Sequence, residues 1–88
     1  MTVKSHTFRG RKYKVMDDHL LGYAEVPGRE PPYIYVDSNM RGTLKHLDTL
    51  IHEGMHAEDP DVPEAVILRR ASAIARWVWR WGYRLEEP

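Results

Sequence analysis

The chain has 88 residues, enough for a single domain spanning 1–88 and one small core. Thirteen Lys and Arg balance thirteen Asp and Glu, which argues against a dedicated nucleic-acid binder or a membrane-surface protein. Cysteine is absent, so disulfides and thiolate metal sites are excluded, leaving histidine and carboxylate as ligands.

The N-terminal half reads as strands. Val3–Phe8 and Tyr13–Met16 flank Arg9-Gly10-Arg11, a hairpin turn. Leu20–Val26 is a second extended segment, closed by the turn signal Pro27-Gly28. Pro31-Pro32 precedes Tyr33-Ile34-Tyr35-Val36, an aromatic and β-branched run that reads as a strand. Prolines at its start suit an edge position, where a missing N–H is harmless.

The C-terminal half reads as two helices. The first runs from about Thr43, the candidate N-cap, to about Ala57. Leu44, Leu47, Ile51, Gly54 and Met55 share the stripe expected to face the core, while His52 and His56 project from the adjoining face with Lys45 and Thr49. Glu58-Asp59-Pro60-Asp61 breaks the helix. A second helix follows from Val62 or Pro63 to about Tyr83, with Ile67, Ala71, Ile74, Ala75 and Val78 inward, Leu68 at the margin and Arg69, Arg76 and Arg80 on a solvated side. The alternation Trp77-Val78-Trp79-Arg80-Trp81 fits a strand as well as a helix end; its aromatics are expected to cap the small core, or else to form an oligomer contact. The expected fold is α+β: a small antiparallel sheet of three to four strands followed by two packed helices. No apolar run approaches a membrane span and no signal-peptide core follows Met1, so the expected location is the cytoplasm.

His52-Glu53-Gly54-Met55-His56 spells H-E-x-x-H. Histidines at i and i+4 sit one turn apart on one helix face, with side chains starting about 5–6 Å apart. Both imidazoles then reach one metal at about 2.0–2.1 Å. Glu53, next to His52, is turned away from a ligating position but reaches a water on the open side of the metal, where a general base is needed. The pattern predicts a zinc hydrolase.

Catalytic zinc takes three protein ligands and an open position. Candidates for the third are Glu58, Asp59, Asp61 and Glu64. Glu58 and Asp59 follow His56 too closely to swing back. If the helices pack antiparallel, Glu64 near the start of the second faces His56 near the end of the first. Glu64 is preferred, with Asp61 in reserve. The competing account is local: Asp61-Val62-Pro63-Glu64 fits D-x-x-E, a capping box in which Glu64 serves the backbone. His6, His19 and His46 read as surface or partner-satisfied residues rather than ligands.

Leu47–Ala57 resembles the active-site helix of the zincin metallopeptidases, and H-E-x-x-H followed by Glu64 on a second helix is similar to the gluzincin arrangement. The size resembles the minimal single-domain zincin-like proteins of phages and bacteria, and the resemblance covers roughly residues 33–82. It implies zinc at His52, His56 and Glu64, with Glu53 as base, and an edge strand, here Tyr33–Val36, that pairs with an extended peptide substrate at the lip of the cleft. No motif fixes an oxyanion-stabilising residue; Tyr35 and Tyr83 are the candidates. Thr49 or Asp48 are candidates to orient an imidazole.

The activity expected is hydrolysis of peptide bonds in a peptide or protein substrate, with a zinc-bound water activated by Glu53. No nucleic-acid or membrane partner is expected, and the chain is either a monomer or a homodimer through Trp77 or Trp81. The alternative is a catalytically silent module in which zinc pins the two helices, or a regulatory protein acting through its Trp-rich end.

Overall fold

The computed structural model describes residues 2–18, 23–24 and 33–86. Strands β1 (Thr2–Phe8) and β2 (Arg11–Asp18) form an antiparallel hairpin in which Phe8 pairs with Arg11. The two residues between them carry positive φ, 50° at Arg9 and 78° at Gly10. That is the backbone a two-residue primed turn requires, and Gly10 adopts it without a Cβ clash.

Of the expected strand Leu20–Val26, the described part is β3 (Tyr23–Ala24); the rest, with Pro27-Gly28, Pro31-Pro32 and His19, lies outside the described residues. β4 (Tyr33–Asp37) inserts between β2 and β3, giving the order β1-β2-β4-β3. It runs antiparallel to β3 but parallel to β2. The sheet is therefore mixed and not antiparallel throughout. β4 is also interior, against the edge position expected from the prolines. Those prolines precede the strand, so they remove no N–H from its ladder.

A short 3-10 turn, Ser38–Met40, leads into α1 (Leu44–Glu58). Thr43 is the N-cap: its hydroxyl accepts from the His46 N–H at 3.2 Å. α1 lies on the sheet, where Ile34, Val36 and Ala57 form the buried cluster, ringed by Phe8, Tyr13, Val15 and Leu50. The buried residues of α1 are His46, Glu53 and Ala57, with Leu50 in the same row; of the stripe expected from hydropathy, Leu44, Leu47, Ile51, Gly54 and Met55, Gly54 faces Phe8 of β1 and the other four are half-buried. The reason is that α1 is the middle layer. Its sheet-facing side is covered by β1, β3 and β4, and its other side by α2, so its larger apolar residues fall at the half-buried borders.

α2 (Glu64–Arg80) packs chiefly on α1 through Ile67, Ala71 and Ala75, all fully buried. Small residues there let the helices approach closely. Ile74, expected inward, and Leu68 are instead exposed. The helix stops three residues before Tyr83 because Gly82 takes a φ of 93° and donates its N–H back to the Trp79 carbonyl. Trp77 and Trp81 do not cap the core; they are 63% and 73% exposed. Among the described residues no helix is long and apolar enough to cross a membrane.

Candidate metal centre

The connection between the helices sets up the site. The Asp59 N–H closes α1 onto the Met55 carbonyl, and the Val62 N–H returns to the Asp59 carbonyl. Pro63 then serves as N-cap, its carbonyl accepting from Val66 and Ile67, and offers no side-chain cap. This reverses the chain, so the start of α2 lies against the end of α1 while Val78 and Trp79 return beside Thr43 and His46. Glu64 is consequently the first residue of α2 rather than the third. The capping-box account loses its geometry, and the carboxylate is released to turn toward α1.

It turns onto both histidines. Glu64 Oε1 lies 2.5 Å from His56 Nε2 and 3.1 Å from His52 Nε2, and the two Nε2 atoms are 3.1 Å apart. Among the described residues this is the one group of three that could hold a metal ion. Glu58, Asp59 and Asp61 are exposed and outside it, as are His6 and the buried His46.

Hydrogen bonding alone does not satisfy this triangle. Each Nε2 has a single in-plane direction, occupied by either a proton or a lone pair. Two such atoms cannot each bond the other and the same carboxylate oxygen with good geometry. Three atoms at these separations can, however, all lie about 2.0–2.1 Å from one common point, the distance at which imidazole and carboxylate hold zinc. The residues fit a divalent cation.

Electrostatics agree. Burial pushes the Glu64 carboxyl up, but the hydrogen bond from His56 and the charges of His52 and His56 outweigh it, holding the group below the ordinary carboxylate range. Glu53 moves the other way. Burial raises its carboxyl more than His52 and His56 lower it, and Glu64 adds to the rise. Its residue is 6% exposed, its Oε2 is buried with no hydrogen-bond partner, and its Oε1 is 3.9 Å from His52 Nε2.

Beside His52 and Glu53 opens a cavity of about 320 Å³, walled also by Met40, Lys45, Asp48, Thr49 and Leu68. Asp48 and Thr49 thus line the approach to the site. Met40 and Leu68 were not expected there; the available signal was that Leu68 stands one turn after Glu64 on the same helix face. Tyr35 and Tyr83 do not line this cavity: Tyr35 stacks on Tyr33, two residues earlier on the same strand, and Tyr83 lies beside Trp77, Val78 and Trp81. No family model matches the chain, and no curated protein or solved structure matches it.

Proposed function

We propose that this chain is a zinc-dependent metallopeptidase of minimal gluzincin-like type. The observation that supports it is the convergence of His52 Nε2, His56 Nε2 and Glu64 Oε1, with Glu53 Oε1 3.9 Å from His52 Nε2. Two nitrogens and one oxygen suit zinc among the common divalent ions. When bound, zinc supplies Lewis acidity toward a substrate carbonyl and acidifies a water.

The chain's own residues do the rest. His52 and His56 would offer their Nε2 atoms as ligands, and Glu64 a carboxylate whose pKa the two histidines hold below the ordinary range. Glu53 would take a proton on its carboxylate from the attacking water and hand it to the leaving amine. A carboxyl raised by burial is better matched to that exchange near neutral pH than an ordinary one. The cavity beside it, with Met40 and Leu68 as apolar walls, has the size to admit a substrate side chain. Pairing of a peptide with Tyr33–Val36 is not available, because β4 has strands on both sides.

Elemental analysis and a peptide library test the proposal together. The expected result is stoichiometric zinc and peptide hydrolysis, with Glu53→Gln retaining zinc while losing about 10²–10⁴-fold in kcat. Zinc retained with no hydrolysis of any peptide favours the silent zinc-pinned module. Hydrolysis undiminished in Glu53→Gln removes the assigned base.

A further inference from the structure

α2 is the outermost layer of the fold, so the side turned away from α1 faces solvent along its whole length. From Ala65 to Leu85 there is no Asp or Glu, against Arg69, Arg70, Arg76, Arg80 and Arg84. Five of the chain's thirteen Lys and Arg therefore lie on this helix and its exit with no acidic residue among them.

Not all of them are free. Arg84 is committed: it stacks 3.4 Å from the Trp79 ring centroid and donates to the Trp79 and Tyr83 carbonyls. Arg76 donates to Ser72. Arg69, Arg70 and Arg80 are exposed and, among the described residues, form no ion pair. Interleaved with them is a stripe at helical spacing, Ile74, Trp77 and Trp81, that is 41%, 63% and 73% exposed, with Tyr83 at 70% beside it. Three aromatic rings at that exposure present on the order of 400 Å² of ring surface, in the range that marks an interaction site.

We infer that the outer face of α2 docks on the headgroup layer of an anionic bilayer, with Trp77, Trp81 and Ile74 at the acyl boundary and Arg69, Arg70 and Arg80 against lipid phosphates. Charge and shape select this occupant. A second copy packed on the same face would oppose unpaired arginines to one another. A single-stranded nucleic acid needs a groove that tracks its backbone, whereas α2 offers a convex helix lying lengthwise. Arginines flanking indoles on one helix side are the composition that settles at the water–lipid boundary. The proposal concerns attachment at a surface that runs from about 8 Å (Arg69) to about 26 Å (Trp81) along α2 from Glu64, and stands independently of peptidase activity.

The test uses the full chain with vesicles of phosphatidylcholine, alone or with phosphatidylserine. Trp77 and Trp81 should shift their emission to the blue and the protein should sediment with the serine-containing vesicles, at least tenfold more than with neutral ones, less so as salt rises. Trp77→Ala with Trp81→Ala, or Arg69→Gln with Arg70→Gln, should each reduce sedimentation at least tenfold with unchanged helix content, since all four side chains are exposed. No blue shift on anionic vesicles overturns the inference, as does equal binding to neutral ones. A shift produced by single-stranded oligonucleotides or by self-association, and not by vesicles, overturns it in favour of that partner.

Discussion

A carboxylate enclosed by protein with one oxygen unpartnered is costly to ionise, and Glu53 is in that position. Because burial raises its pKa in the fold, the stability it contributes is present in acid and is lost as pH rises through that raised value. In chelator, Glu53→Gln should therefore unfold later than the parent at neutral pH, by about 1–3 kcal/mol, and the two should converge in acid; denaturant melts at both pH values check this. Glu64→Gln makes the opposite trade. It keeps an oxygen near His52 and His56 but removes the charge, and chelator competition should show zinc affinity falling by more than the roughly 10–100-fold that loss of an outer-shell partner costs, with α2 intact. That His52 and His56 come together with Glu53 beside them was legible from spacing alone. Glu64 was legible because antiparallel helices bring the start of the second to His56; what spacing did not reveal was that Pro63 would take the cap and move Glu64 to the helix start.

At the scale of elements, the helices were legible to within a residue or two at three of their four ends, since Thr43, Pro60 and Pro63 are local signals. Which side of α1 meets the sheet was legible only at Gly54. Hydropathy places leucines inward, whereas a helix sandwiched between a sheet and another helix buries the row set by close approach, here His46, Glu53 and Ala57. Gly54 reports that approach: a Cβ there would stand 3.4 Å from Phe8 Cζ. Gly54→Ala should be tolerated and stabilise by up to about 1 kcal/mol through helix propensity, whereas Gly54→Leu should push α1 off β1 and lower the melting temperature. A melting temperature unchanged in the leucine variant would mean the contact is slack. The parallel pairing of β4 with β2 was likewise invisible, because β3 takes the edge and nothing in Tyr33–Asp37 encodes its neighbour.

At the scale of the molecule, a domain of this size has little buried core to spare, and a cation shared by α1 and α2 would add to it. Zinc at a thousandfold excess over its dissociation constant should stabilise the fold by about 4 kcal/mol, and thermal melts should show a rise that chelator reverses. An unmoved melting temperature in saturating zinc would count against the His52, His56, Glu64 cluster as a site. Overall charge balance averages away the run of arginines without acidic neighbours along α2, the feature on which the proposed docking rests. His52 and Glu64, the outermost members of the cluster, are only twelve residues apart in the chain. A loop so brief closes at small entropic cost, so the ligand set is a property of one helical hairpin rather than of the sheet. Such a hairpin is a portable cassette: spliced onto a different scaffold, it would bring its donor atoms along, while the task of keeping Glu53 dry would fall to the new host.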